Sequence, residues 1–92
     1  MTDTSLEVGS VVLAKAGRDK GKAFIVVGFL SEEYVLLADG SSRTIDKPKK
    51  KKIRHLDPKP QKAKEIQEMM ESGLRVLDAD IRKSLRSLGY EN

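Results

Sequence analysis

The residues best placed to do chemistry in this chain are cations. A tight basic turn, Ala16-Gly17-Arg18-Asp19-Lys20-Gly21-Lys22, lies between two apolar runs, Val11-Val12-Leu13-Ala14 and Ala23-Phe24-Ile25-Val26-Val27. A second basic stretch runs from Lys47 to Arg54 and holds the lysines Lys49, Lys50, Lys51 and Lys52 in succession. Gly17 and Gly21 permit a positive φ where a side chain would clash. Gly21 sits between Lys20 and Lys22, so a phosphate could approach its backbone while both ammonium groups flank it. Each lysine that meets a phosphate releases condensed counterion, which makes such binding favourable and salt-sensitive. The competing explanation for both segments is a solvated loop tip and a solvated edge. Lys15 and Arg43 would flank the same rim, and Lys59, Lys62 and Lys64 could extend the track.

Other chemistries find no support. His55 is the only histidine, and a general base or metal ligand needs partners that the spacing does not supply. There is no nucleophile–base–orienter set, no phosphate-binding glycine loop and no metal-ligand spacing. Without cysteine, neither a disulfide nor a thiolate metal site can form. The expectation is therefore a protein that is not an enzyme and takes no cofactor or metal. Phe24, Phe29 and Tyr34 could in principle stack on bases. A small core without tryptophan needs aromatics such as Phe24 inside, so recognition by shape and backbone is expected instead.

The charge is unevenly placed. The net charge is +4 over 92 residues. Residues 1–46 carry a net −2, residues 47–64 a net +8 and residues 65–92 a net −2. A positive field confined to one segment favours an anionic polymer as partner. The polar start Met1-Thr2-Asp3-Thr4-Ser5 has no basic or apolar region of a signal peptide. No apolar run approaches the ~18–20 residues that span a bilayer. A cytoplasmic location is expected.

These cations must be positioned by short strands. Val11–Ala16 reads as a first strand, apolar at successive positions, so alternation does not say which face points inward. A second strand runs from about Lys22 to Leu30, with Gly28 marking a bulge or bend. Ser31-Glu32-Glu33 turns into a third strand, Tyr34–Ala38. Asp39-Gly40 is a hairpin signal, and Ser41–Asp46 reads as a fourth strand. Lys47-Pro48 breaks the pattern. Ile53–Leu56 reads as a fifth strand, with the lysine run on its rim, where lysine discourages edge-to-edge pairing. Asp57-Pro58-Lys59-Pro60 reads as a stiff linker. Beyond it, Ala63, Ile66 and Met70 fall at helix spacing over Gln61–Ser72, with Met69 beside them and Gly73 as the stop. A second helix is expected over Ala79–Leu88, with Asp78 as its N-cap, an Ile81-Leu85-Leu88 stripe and Gly89 as its stop. Helices this short need their stripes packed on each other, on the strands or on a partner.

The segment Val11–Val27, with its basic turn and central glycine, resembles a KOW motif, and the similarity continues through Gly28-Phe29-Leu30 and Val35-Leu36-Leu37-Ala38-Asp39-Gly40. The longer pattern, about Leu6 to Leu56, is similar to KOW ribosomal proteins of the archaeal and eukaryotic large subunit and to small bacterial KOW-domain RNA-binding proteins. The resemblance implies a mainly β fold: a small SH3-like five-stranded β-barrel over residues 1–57, with a linker and two-helix extension over residues 58–92. It also implies structured RNA, ribosomal RNA above all, as the partner. Lys15, Arg18, Lys20, Gly21, Lys22, Arg43, Lys47, Lys49, Lys50, Lys51, Lys52 and Arg54 would form the RNA-binding set. The alternative is a protein-interaction module of the transcription or translation machinery, docking partners through the barrel or the C-terminal helices. Nothing after Pro60 aligns with the ribosomal pattern.

Overall fold

A computed structural model describes residues 6–90, so the expectation for Met1–Ser5 falls outside the described residues. Five strands form one antiparallel sheet: β1 (Ser10–Ala14), β2 (Ala23–Phe29), β3 (Tyr34–Ala38), β4 (Lys49–Lys52) and β5 (Leu56–Lys62). Two helices follow, α1 (Lys64–Glu71) and α2 (Asp78–Ser87). The order across the sheet is β4-β3-β2-β1-β5. The outermost strands, β4 and β5, are joined only by a 3-10 turn, Ile53–His55. So short a link forces the sheet to curl until its edges approach. The turn itself bridges the gap: the Lys15 N–H donates to His55 C=O at 2.9 Å and the Ile53 N–H to Glu33 C=O at 2.8 Å. The result is a small SH3-like barrel whose sheet is not closed by a ladder.

The continuous apolar runs have a physical reason. Val12, Ala14, Phe24, Val26, Val35, Leu37 and Leu56 fill the inside of the curl. Their neighbours in the same strands, Val11, Ala23 and Ile25, face outward and are buried with Ala63, Ile66, Val76, Ile81 and Leu85 of the C-terminal region. A strand buried on both faces loses the polar alternation of a half-exposed one. The stripes of both helices therefore pack on the barrel. Met69, Met70 and Leu88 pack against this second core as well. Each helix lands on a glycine. At Gly9 (φ +98°) a Cβ would meet Ala63 C=O at 3.0 Å and Gln67 Cβ at 3.1 Å, at the start of α1. At Gly40 (φ +79°) it would meet Asp78 C=O at 2.4 Å, at the start of α2.

Four expectations are corrected. Ser41–Asp46 is not a strand. The Asp39 carboxylate accepts the N–H groups of Ser41 (2.9 Å) and Arg43 (2.8 Å) and the Ser42 hydroxyl (2.9 Å), winding the chain into a loop. Local side-chain acceptors of this kind compete with a ladder. The fourth strand is the lysine run itself, paired to β3 through Leu37↔Lys49 and Tyr34↔Lys52. Ile53–His55 is a 3-10 turn rather than a strand, and the fifth strand is the proline-containing stretch Leu56–Lys62. Among the described residues β5 has only β1 beside it. Pro58 and Pro60, two residues apart, direct their nitrogens to the same side, and prolines fit an edge strand when that side faces away from its partner. Finally, Asp78 is the first residue of α2 rather than its cap. Its carboxylate instead accepts the Ile45 N–H at 2.7 Å, while Asp80 accepts the Leu77 N–H at 2.9 Å.

Other local signals hold. β3 covers Tyr34–Ala38, and the β2–β3 register shifts between Val26 and Gly28. Gly73 and Gly89 follow the helices with φ +76° and +93°.

Candidate nucleic-acid interface

The basic turn is built from the ladder that flanks it. The Gly21 N–H donates to Ala14 C=O (2.9 Å) and the Ala14 N–H to Lys22 C=O (3.1 Å), which pins the base. The Lys20 N–H reaches Gly17 C=O (3.2 Å) and the Lys22 N–H reaches Asp19 C=O (2.8 Å), which tightens the tip. Gly17 and Gly21 both take positive φ, +85° and +88°. Among the described residues nothing beyond its chain neighbours lies within 4 Å of where a Gly21 side chain would begin, so its backbone is open to approach.

Strand pleat divides the lysine run. Lys49 and Lys51 pair with Leu37 and Val35, whose side chains fill the barrel, so they rise on the inward face. Lys50 and Lys52 pair with Leu36 and Tyr34 on the other face, and their ammonium groups stand 4.7 and 5.7 Å from the centre of the Tyr34 ring. The inward pair crosses to the basic turn. Lys51 Nζ donates to Ala16 C=O at 3.3 Å. Lys49 Nζ meets Asp19 Oδ2 at 2.9 Å.

Asp19 is the centre of this contact. Its side chain is 10% exposed, and Arg43 (3.8 Å) and Lys22 (3.9 Å) also surround it. The Lys49 ammonium holds the Asp19 carboxyl below the usual carboxylate range, outweighing desolvation, which acts in the opposite sense. One buried carboxylate thereby draws cations from the turn, the 39–48 loop and β4 into one cluster. Sequence reasoning assigned Asp19 no role, although it is the one acid within an otherwise basic turn.

The set thus falls into groups. Lys22, Arg43 and Lys49 are gathered at Asp19, and Lys51 is tied to the turn. Lys50 and Lys52 flank Tyr34. Lys15, Arg18 and Lys20 on the turn, Lys47 before β4 and Arg54 on the 3-10 turn are all exposed. The lysines proposed to extend the track behave differently. Lys59 pairs with Asp57 at 2.9 Å, which raises its pKa, and Lys62 pairs with Glu7. Of the aromatics, Phe24 is fully buried, whereas Phe29 is 45% exposed at the end of β2. Among the described residues no group of three His, Cys, Asp or Glu is placed to hold a metal, and no helix is long and apolar enough to cross a membrane.

Over 54 residues the chain is 33% identical to large ribosomal subunit protein eL14 of Desulfurococcus amylolyticus and 28% identical to that of Staphylothermus marinus. Each alignment covers 59% of this chain and 56% of the relative. The chain resembles KOW ribosomal proteins. It spans about half the length of the curated relatives it matches. No protein-family model matches it.

The KOW-like turn and β4 depend on Asp19 for their junction, and this carries a pH signature. A carboxyl whose pKa is lowered by folding adds stability above its unfolded pKa, and that stability is lost as pH falls through the folded value. Stability is therefore expected to decline in acid below the ordinary carboxylate range, and Asp19→Asn is expected to flatten that decline. At neutral pH, Lys49→Gln is expected to cost about 1–3 kcal/mol by leaving a mostly buried acceptor without its nearest cation. Arg43 and Lys22 compensate only in part. Urea unfolding followed from neutral pH into acid checks both; an unchanged acid limb in Asp19→Asn would contradict the assignment.

Proposed function

We propose that this chain is a ribosome-associated, ribosomal-protein-like RNA-binding protein that works in the cytoplasm by binding and has no catalytic role. It grips structured RNA, ribosomal RNA in the first place, through backbone phosphates. The observation that carries this reading is the junction of two distant basic segments: the turn at 15–22 and β4 meet through Asp19–Lys49 and Ala16–Lys51. Around that junction Lys15, Arg18, Lys20, Lys47, Lys50 and Arg54 stay exposed. The likeness to eL14 supports the ribosomal setting. Exposed Lys15, Arg18, Lys20, Lys47, Lys50 and Arg54, with Lys52, supply phosphate contacts, and Gly21 admits the backbone. Lys49 and Lys51 act chiefly by holding the rim together.

Titration of the protein with a structured RNA over a salt series tests the proposal. With six to eight phosphates engaged, log affinity is expected to fall against log salt with a slope of about −4 to −7. A salt-independent affinity would overturn it.

A further inference from the structure

The C-terminal helix brings cations of its own to the barrel. A cleft of about 260 Å³ opens between the 39–42 loop and α2, lined by Lys22, Ser41, Ser42, Arg82, Arg86 and Tyr90. Arg82 and Arg86 are four residues apart on α2 and so share a face. Arg82 Nη1 donates to Gly40 C=O, which fixes the guanidinium at the cleft wall and leaves its other N–H groups for a ligand. No ion pair or side-chain hydrogen bond engages Arg86 among the described residues, and its side chain is exposed. The carboxylate in the wall, Asp39, has both oxygens occupied by Ser41, Ser42 and Arg43. Lys22 belongs to the cleft and to the Asp19 cluster alike, at 3.9 Å from Asp19 Oδ1. Three cations therefore converge on one hollow that is continuous with the basic turn.

We propose that this cleft takes a backbone phosphate of the same RNA that lies on the turn, so that α2 is part of the RNA-binding surface as well as a cover for the sheet. The inference rests on the RNA-binding reading. Arg82, held by Gly40, and Arg86 bracket the phosphate from the helix, and Lys22 meets it from the barrel. Tyr90, which also lines the cleft, is held by its hydroxyl donating to Gln61 at 2.6 Å.

The test compares the full chain with Arg86→Gln, Arg86→Lys and, as a control on the turn, Lys20→Gln, each titrated with one structured RNA over a salt series. Thermal unfolding shows that each variant is folded. Arg86→Gln is expected to make the salt slope shallower by about 0.7–0.9, as Lys20→Gln does, while Arg86→Lys retains the full slope because the charge remains. A slope unchanged in Arg86→Gln but reduced in Lys20→Gln would overturn the cleft and leave the RNA reading standing. A flat salt response in the parent protein would overturn both.

Discussion

Truncating Ile81 to alanine is expected to cost about 2–5 kcal/mol of folding stability, a large part of what a chain of this size possesses. Ile81 is 0% exposed and lies in the core that joins α2 to the outer face of β1 and β2. Removing three buried carbons forfeits their transfer free energy and leaves a cavity that the surrounding strands cannot fully fill. Domains are stabilised by only about 0.05–0.15 kcal/mol per residue, and small ones sit low in the range because they bury less surface. The loss reaches the barrel because Ile81 shares its core with Val11 and Ile25, which belong to strands. Leu77→Ala is the contrast. Leu77 is 50% exposed, and its truncation is expected to stay within about 0.5 kcal/mol. Urea denaturation of the two variants measures the difference. Equal midpoints would mean that α2 does not cover the sheet in solution. For the same reason, removing residues 61–92 strips one whole core from the sheet and cannot isolate the role of the helices.

The second large effect concerns affinity. Changing Lys20, Lys50, Lys52 and Arg54 together to glutamine is expected to weaken structured-RNA binding by about 10³- to 10⁴-fold near 0.1 M salt. Each phosphate contact contributes a salt exponent of about 0.9, which at that concentration is about eightfold in affinity. The four positions are chosen because none of them meets Asp19. Lys50 and Lys52 give up a cation–π contact with Tyr34, worth only about 0.5–1 kcal/mol at an exposed site, so the variant keeps its fold. Substituting the whole run Lys49–Lys52 would confound the two roles, since Lys49 also neutralises Asp19. Loss is expected to be similar across RNA sequences, because phosphate contacts position without reading bases. Fluorescence titration against two unrelated structured RNAs checks both points. Undiminished affinity would move the binding surface off this rim.

Much of this molecule is written in short windows of its sequence. The apolar run Tyr34–Ala38, the bulge at Gly28 and the helix stops at Gly73 and Gly89 follow from local preferences that hold wherever the segment lies. So does the basic turn, whose glycines adopt the positive φ that their position demands. The uneven charge and the KOW likeness also need nothing beyond the order of residues. What no short window contains is the partner of each strand. A run of lysines has weak β preference, yet β3 needs a partner and lysine stems can lie along a barrel rim with their charged heads outside. Ser41–Asp46 looks extended until Asp39 draws its N–H groups inward. Pro58 and Pro60 look like a linker until β1 offers an edge.

The division of labour among the cations is likewise a tertiary property. Lys49 and Lys50 are chemically the same residue, and the pleat sends one to a buried carboxylate and the other to the face of a tyrosine. Residues 30 apart in the chain, Asp19 and Lys49, and 42 apart, Gly40 and Arg82, decide where the basic turn and α2 sit. Composition and spacing alone determined that this protein carries a concentrated positive charge on a small β framework. Folding decided which of those charges remain free, because a charge is neutralised only by a group that the chain brings within a few ångströms, and proximity in space is what sequence order does not encode.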